Sequence, residues 1–577
     1  MPEFDLLVRG GTVVDGTGRA SRTADIGVID DTIVAVGKLA GKATRTIAGD
    51  GLLVTPGWVD IHTHYDGQAT WDSRLAPSSW HGVTTVVMGN CGVGFAPVHT
   101  RDHQALIELM EGVEDIPGTA LHEGLSWEWS SFGEYLDALE VRPHDVHFAT
   151  QVPHGALRLH VMGERGAKGD VATDDDIVSM GLLAREAIAA GALGFTTSRT
   201  KNHRTSTGAY TPTLRAEARE LIGITHEIGR GNAGVLQVVS DFESPGDETA
   251  MLQAMMEASG RPLSLSLAQN HRSPDGWRSI INFIEAMQGL GHAMRAQVAV
   301  RPIGVLLGLQ ATVNPLAPSA TYREIAAQWP NDLSGLVRAL ATPNVRARVL
   351  DDLGPFPKHP LLRLDRLFVL GANPDYEPVA AASIAARSMT NGVEPMAMLY
   401  DELLRDDGRA LVYAPILNYA NGNLDHVHEL LQHPHCVPGL SDGGAHVGTI
   451  CDASFPTTLL AHWGRDRGAA ATLPIELLVE RQCRATAQAV GLFDRGVLAP
   501  GMRADINIID FEALGVDAPT MQFDLPASGK RLVQRARGYR HTFVNGTETY
   551  ANGEATEALP GQLIRGATIP KGIPNER

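Results

Sequence analysis

Two histidines are separated by a single residue in the segment Val59-Asp60-Ile61-His62-Thr63-His64-Tyr65-Asp66. The apolar run before them is typical of a β-strand, and side chains on a strand alternate between two faces, so His62 and His64 point the same way. Paired neutral imidazoles suit a divalent metal such as zinc. An isolated pair is equally well explained by two hydrogen-bonded histidines at a strand end. The rest of the sequence therefore has to decide between this explanation and a metal site.

Cys91 and Asp442 are the other two residues whose positions suggest chemistry. Cys91 lies in the turn Gly89–Gly92 after a second β-type run, and Asp442 lies in Gly439–Gly444 after the last one. In a barrel of βα units, functional residues sit where strands end. A closed barrel brings its first, second and last strands together, so Cys91 and Asp442 are expected beside the histidine pair. A thiolate, two imidazoles and a carboxylate are all zinc ligands, and the carboxylate can also accept a proton from water.

The elements that must position these residues follow from the periodicity of the chain. β-type runs such as Thr84–Met88 and Leu263–Leu267 alternate with helix-like segments such as Asp174–Ala190, which predicts parallel strands with helical crossovers. At least eight strand candidates favour an α/β fold with a closed (β/α)8 TIM-like barrel over an open sheet. We predict that the barrel spans residues 56–499 and carries insertions between Pro302 and Ala410, a stretch with few regular patterns.

Short β-type runs separated by glycine and aspartate fill the first fifty-odd residues, and similar runs return after Asp505. The simplest arrangement places both ends of the chain in one small composite β-sandwich domain, made from residues 1–55 and 500–577.

Composition limits the classes of partner. The 577 residues carry a net charge of -18, which argues against nucleic acid and anionic membranes because both attract lysine and arginine. Four scattered cysteines do not make a disulfide framework. No signal-peptide pattern follows Met1, and no stretch approaches the roughly 18 apolar residues that span a bilayer. We expect a cytoplasmic protein that acts on a small molecule; whether it forms a homo-oligomer stays open.

The motifs together resemble a known family. The segments that carry the resemblance are Pro56–Gln68, His81–Thr85, Gly89–Pro97, Gly439–Gly444 and Asp494–Asp505. They are similar to the N-acyl-D-amino-acid deacylases (D-aminoacylases) of the amidohydrolase superfamily, and the resemblance covers nearly the whole chain. It implies a hydrolase of carbon–nitrogen bonds in linear amides, in which a metal-activated water attacks the amide. Asp442 would accept the water proton and pass it to the leaving amine, and Cys91 would be a metal ligand.

The chain departs from the family on its fifth and sixth barrel strands, which carry a metal-ligating histidine each in the family. Here they read Val235–Asp241 and Leu263–Asn270, without a histidine; His271 lies just beyond. No lysine that could bridge two metals ends the fourth strand, since Lys201 lies too far out. We therefore expect one firmly held zinc ion, bound by His62, His64, Cys91 and Asp442, and not a second.

Four further residues are candidates for contacts with substrate: Arg158, Arg199, His203 and His446. Arg158 follows the third strand, and Arg199 and His203 lie in the polar segment after the fourth. Arginine binds carboxylates through two parallel hydrogen bonds, so either arginine is a candidate clamp for a substrate carboxylate. His446 is close enough to Asp442 in sequence to assist proton transfer. Solvated or structural roles are equally compatible with each of the four.

The sequence leaves three other functions open. A cyclic-amide hydrolase would usually need a two-metal site with a bridging lysine. A metal-dependent lyase or decarboxylase could use the same barrel with altered ligands on strands five and six. A binding protein with little metal is the third.

Overall fold

The computed structural model describes residues 3–355, 362–468 and 471–571. The two ends of the chain meet in one nine-stranded sheet. Its strands are Phe4–Val13, Arg22–Ile29, Thr32–Gly37, Ala43–Ala48, Leu53–Pro56, Ile506–Ile509, Tyr539–Val544, Thr547–Ala551 and Glu554–Ala555. Leu53–Pro56 pairs antiparallel with Ile506–Ile509, which joins the two halves. Val8, Ile26, Val54, Ile508 and Phe543 form part of a separate apolar core.

A series of parallel strands follows, numbered here one to eight in chain order. They are Trp58–Asp60, Val83–Met88, His147–Thr150 (continued by Val152–Pro153), Gly194–Arg199, Val235–Ser240, Leu263–Leu267, Met294–Val298 and Cys436–Pro438. All neighbouring pairs in the two sheets that these strands form are parallel. The strands are nearly completely buried and rich in valine and leucine, as expected of parallel strands covered on both faces.

The two parallel sheets meet at two places. At Gln151 the third strand passes from the three-stranded sheet to the six-stranded one. At the other junction Thr63 forms an isolated parallel bridge with Gly443. There the His64 N–H donates to the Gly443 carbonyl at 2.8 Å and the Asp442 N–H donates to the His62 carbonyl at 3.1 Å. The segments after strands one and eight are therefore fixed directly against each other.

Helices connect and flank the parallel strands. They are His103–Glu114, Gly118–Gly124, Phe132–Glu140, His154–Met162, Glu164–Ala167, Asp174–Ala190, Ala218–Arg230, Pro245–Ser259, Gly276–Gly289, Asp425–Gln432, Phe455–Ala461, Ile475–Glu480 and Thr486–Ala489. The predicted helix over 174–190 is confirmed and begins with a capping box made by Thr173 and Asp176. In the described part of the chain, no helix combines the length and apolar character needed to cross a membrane.

The segment between strands seven and eight has regular structure of its own. It contains a three-stranded antiparallel sheet (Ile303–Leu307, Phe368–Val369, Val412–Leu417) and the helices Ala320–Ala326, Leu333–Leu340, Pro343–Leu353, Ile384–Asn391, Pro395–Leu403 and Arg405–Gly408. The sequence of this stretch shows few regular patterns, yet short helices there pack on a core of their own that includes Leu336, Leu340 and Leu399. The small antiparallel sheet is separate from the parallel series.

A β-hairpin, Thr520–Leu525 with Gly529–Val533, lies outside the nine-stranded sheet. The Leu532 N–H donates to the Val447 carbonyl at 2.6 Å, and Lys530 Nζ donates to the Gln310 carbonyl at 2.7 Å. Strands Gly515–Val516 and Ala536–Arg537 pair at its base. The C-terminal part of the chain thereby reaches the loop after strand eight, four residues beyond Gly443.

Candidate metal centre

Four side chains predicted to hold a metal converge at the junction of strands one, two and eight. The ligand atoms of His62, His64 and Cys91 lie within 4.8 Å of one another, and all three side chains are buried. His62 Nε2 is 3.3 Å from Cys91 Sγ and 3.4 Å from Asp442 Oδ1. His64 Nε2 is 3.6 Å from the same Asp442 oxygen. Each distance joins residues at the ends of different strands.

These separations fit a tetrahedral ion. With metal–ligand bonds of about 2.0–2.3 Å, ligand atoms at the corners of a tetrahedron lie roughly 3.3–3.7 Å apart. The measured 3.3, 3.4 and 3.6 Å fall in that interval. Two imidazole nitrogens, a sulfur and a carboxylate oxygen are also a donor set that zinc accepts. The residues present therefore fit a zinc ion.

His62 is oriented by a residue on strand seven. The Gln297 side-chain oxygen lies 2.6 Å from His62 Nδ1, and the Gln297 amide group donates to Ser264 Oγ at 3.0 Å. Because an amide oxygen only accepts, His62 carries its proton on Nδ1, which leaves the Nε2 lone pair facing Cys91 and Asp442. Strand six contributes Ser264 to this contact, and the side-chain amide of Gln237 on strand five donates to Ser266 Oγ at 3.3 Å.

The turn that carries Cys91 is held by strand four. Thr196 Oγ1 accepts from the Gly92 N–H at 3.1 Å and donates to the Gly89 carbonyl at 2.5 Å, so one hydroxyl fixes both ends of the turn. Cys91 has a positive φ of 55°, which is uncommon for a residue with a side chain. Such a conformation costs of the order of 1–3 kcal/mol and persists where the surroundings impose it, often at functional sites.

Asp442 also has a positive φ, 48°, and is fixed by its neighbour. Ser441 Oγ donates to Asp60 Oδ2 at 2.5 Å, which ties strand eight to the residue two positions before His62. On the other side of the histidine pair, Asp66 Oδ2 accepts from the Gly89 N–H at 3.1 Å. The two aspartates that flank the histidines thus anchor the Asp442 segment and the Cys91 turn.

Burial and mutual charge shift the pKa values of the cluster. Burial lowers the pKa of His62 to about 4 and raises that of the Cys91 thiol to about 12. Burial by itself would also lower the pKa of His64, but the Glu114 carboxylate foremost raises it overall. Burial opposes ionisation of Asp442, yet a hydrogen bond from His64 and the charges of the nearby histidines hold its pKa well below the usual range. Without metal, the thiol is protonated and Asp442 is a carboxylate.

We expect zinc to bind more tightly as pH rises. A thiol with a pKa of about 12 is protonated at neutral pH and must lose its proton to become a ligand, and the raised pKa of His64 adds a second proton to be displaced. Each proton released strengthens apparent association by about tenfold per pH unit. Titration calorimetry in buffers of different ionisation enthalpy measures the release directly. Binding that is independent of pH would show that Cys91 is not a ligand.

Of the four candidate substrate contacts, two lie at the cluster. Burial lowers the pKa of His203 to about 3, and the imidazoles of His446 and His64 lower it further, whereas the Asp442 carboxylate raises it. Its Nδ1 lies 2.9 Å from Ser198 Oγ. His446 Nε2 lies 3.5 Å from Glu114, and its side chain is 30% exposed.

The two arginines are engaged elsewhere. Arg158 is completely buried, and its Nη1 donates to both Glu220 oxygens at 2.5–2.6 Å. Arg199 pairs with Glu248 at 3.0 Å. Because each guanidinium already has an internal carboxylate partner, neither is retained as a clamp for substrate. His271 contacts Arg366 and not the metal cluster.

Sequence reasoning missed the residues that support the cluster, chiefly Asp60, Asp66, Glu114 and Gln297. Asp60 and Asp66 flank the histidine pair symmetrically, at two residues before His62 and two after His64, and that spacing was the available signal. Glu114 and Gln297 come from a helix and a strand remote in sequence, so no local pattern marks them.

A small cavity that is partly open to solvent adjoins Asp442. Gly444, Val447, Asp452 and Arg531 contribute to its walls. The cationic group of Arg531 already binds both oxygens of Asp524 at 2.8 Å.

The fold and the cluster together define a metal-binding enzyme of the amidohydrolase type, a TIM-barrel-containing architecture with an extra domain. A model of the Amidohydrolase family matches residues 45–354 and 362–550, and the chain belongs to this family.

Individual relatives match over their whole length. The chain is 28% identical to a D-aminoacylase of Alcaligenes xylosoxydans xylosoxydans over 97% of each chain. It is 27% identical to an N-acyl-D-aspartate deacylase of the same organism, over 98% of this chain and 96% of the other. A crystal structure of N-acyl-D-glutamate deacylase from Bordetella bronchiseptica, in complex with zinc and a phosphonate mimic of the tetrahedral intermediate, has a similar fold (TM-score 0.64, 23% identity, 97% and 99% coverage).

Proposed function

We propose that the protein is a zinc-dependent hydrolase of linear amides whose substrates are N-acyl-D-amino acids. The observation that carries the proposal is the convergence of the ligand atoms of His62, His64 and Cys91, with the Asp442 carboxylate 3.4–3.6 Å from both imidazoles and beside a cavity. Full-length similarity to a D-aminoacylase and to an N-acyl-D-aspartate deacylase supports the substrate class.

His62, His64 and Cys91 would hold the ion, as the three protein ligands of a catalytic zinc site do, and Asp442 would add a further contact without closing the position for water. When bound, zinc lowers the pKa of water from about 15.7 towards 7 and polarises a carbonyl oxygen. One ion is proposed and not two, because strands five and six carry no histidine; Gln237 donates to Ser266, and Ser264 accepts from Gln297.

Asp442 would act as general base and then as general acid. Its carboxylate is ionised because its pKa is depressed, and its Oδ1 lies at the histidine pair while the residue lines the cavity. It can accept a proton from the attacking water and return it to the leaving amine. His446 and His203 are the remaining polar groups placed to contact substrate, and we propose them in that role in place of the two arginines.

We also infer that the parallel strands close into a single (β/α)8 barrel over residues 56–499. The passage between sheets at Gln151 and the bridge between Thr63 and Gly443 support closure. The nine-stranded sheet supports a second, composite β domain from residues 1–55 and 500–577. Closure matters for function because it brings the ends of strands one, two and eight to one site.

A paired substrate screen tests the proposed function. We expect zinc-loaded protein to release amine from N-acetyl-D-amino acids with neutral and acidic side chains, and the L-enantiomers to react far more slowly. Amine release is followed with an amine-reactive fluorophore, and metal-free protein is the control.

Other outcomes of the screen distinguish the alternatives. Turnover of a cyclic amide such as a hydantoin, with none of the linear amides, would indicate a cyclic-amide hydrolase. Carbon dioxide release from an acyl amino acid without free amine would indicate a decarboxylase. Either result would contradict the proposal.

A further inference from the structure

Glu114 is a buried carboxylate that no part of the proposed reaction uses. It ends the helix His103–Glu114, and its side chain is 1% exposed. In the described part of the chain, neither of its oxygens has a hydrogen-bond partner of good geometry. A buried polar group without such a partner is costly, so its presence calls for a physical reason.

Its position in the helix adds to that cost. The last turn of a helix carries the negative end of the helix dipole, so an anionic side chain there is unfavourable where a cationic one would be stabilising. The helix stops directly after it, at Asp115, whose φ of 51° is left-handed. A residue that violates both the burial rule and the dipole rule is expected where function demands it.

Two imidazoles flank this carboxylate. Glu114 Oε1 lies 3.3 Å from His64 Nδ1, and Oε2 lies 3.5 Å from His446 Nε2. The backbone also joins the groups, because the His446 N–H donates to the Glu114 carbonyl. One oxygen therefore faces the histidine of the metal cluster, and the other faces the histidine in the loop that lines the cavity.

We propose that Glu114 is a positioning residue that fixes the metal ligand His64 and the loop histidine His446 at the same time. The contact lacks hydrogen-bond geometry, but a carboxylate 3.3 Å from Nδ1 favours the His64 proton on that nitrogen, which directs the Nε2 lone pair to the side where Asp442 lies 3.6 Å away. A carboxylate behind a ligating histidine also strengthens the imidazole as a ligand. The inference rests on the proposed function, because it assumes that His64 binds zinc.

The Nδ1 atoms of His62 and His64 have different kinds of partner, which supports a separate role for Glu114. The Nδ1 of His62 meets a neutral amide oxygen, that of Gln297, at 2.6 Å. The two ligating histidines thus have different partners, one uncharged and one anionic, and only the anionic partner also contacts a residue of the cavity loop. Removal of Glu114 is expected to affect both metal affinity and the placement of His446.

Zinc affinity of matched variants tests the proposal. The zinc dissociation constant of the full-length protein is measured by competition with a chromogenic chelator for wild type, Glu114→Gln and Glu114→Ala. We expect weakening by about tenfold for Glu114→Gln, which keeps the shape and an acceptor oxygen, and by up to about 100-fold for Glu114→Ala. Glu108→Gln removes the same charge from the same helix at a side chain that contacts Gln104, and should leave the constant unchanged.

A spectroscopic readout separates positioning from loss of structure. In cobalt-substituted protein, the thiolate-to-cobalt band from Cys91 should persist in Glu114→Gln while the visible d–d bands shift. If Glu114→Gln binds zinc as tightly as wild type, the inference is overturned. Glu114→Gln alone is sufficient for this test, so the test stands even if Glu114→Ala does not fold. Wild-type protein that binds no zinc overturns the proposed function and this inference together, whereas tight wild-type binding with no difference in Glu114→Gln overturns this inference alone.

Discussion

Asp442→Asn is expected to reduce amide hydrolysis by about 10²–10⁴-fold, the usual contribution of a general acid or base. The asparagine keeps the shape of the side chain but cannot take a proton. His62, His64 and Cys91 would still hold the ion, so zinc content should be largely retained. Two quantities are measured on the same preparation: the rate of hydrolysis at saturating substrate, and the zinc content per chain.

The surface residue Asp175, exposed on the helix 174–190, provides the control. Asp175→Asn removes the same charge far from the cluster and should keep both rate and zinc content. Near-wild-type activity of Asp442→Asn would show that another group, such as His446, takes the proton. Loss of zinc together with activity would assign Asp442 chiefly to metal binding.

Cys91→Ala is expected to weaken zinc binding by more than the roughly 10–100-fold that removal of a supporting partner costs, because a ligand itself is lost. Activity at limiting zinc should fall accordingly and recover in part when zinc is added. Zinc affinity is measured by chelator competition, and activity across a zinc titration.

Cys436→Ala is the matched control. Cys436 is also buried, at 1% exposure, but lies at the start of strand eight away from the cluster. Both variants remove a buried thiol, so any general effect on packing appears in both. If Cys91→Ala and Cys436→Ala bind zinc alike, Cys91 is a packing residue of its turn and not a ligand.

The part of the site predictable from sequence is the part that lies at strand ends. His62, His64, Cys91 and Asp442 each follow a β-type run, and the rule that function sits at such ends requires no knowledge of distances. Their supporting partners were not predictable in this way. Glu114 reaches His64 from a helix between strands two and three, and Gln297 reaches His62 from strand seven, so both contacts depend on tertiary placement.

Other features depended on the fold for the same reason. An arginine near a predicted site is suited equally to a substrate carboxylate and to an internal one, and the structure pairs Arg158 with Glu220 and Arg199 with Glu248. Between strands seven and eight, short helices lack the long apolar period that makes a helix recognisable, so the few regular patterns there did not reveal a second core.

The candidate metal site has no histidine from strands five and six. Gln237 of strand five donates to Ser266, Ser264 of strand six accepts from Gln297, and Gln297 of strand seven contacts the back of His62. His62, His64 and Cys91 give the three protein ligands typical of a catalytic zinc site, and Asp442 lies beside the two imidazoles. The expected result is a site with one ion that depends strongly on the histidine pair after strand one.

Anomalous diffraction at the zinc absorption edge, from crystals of protein purified with zinc and without chelator, tests this account most directly. We expect a single strong peak at bonding distance, about 2.0–2.3 Å, from His62 Nε2, His64 Nε2, Cys91 Sγ and an Asp442 oxygen. The absence of a peak at this cluster, or a fully occupied ion bound elsewhere in the chain, would contradict it.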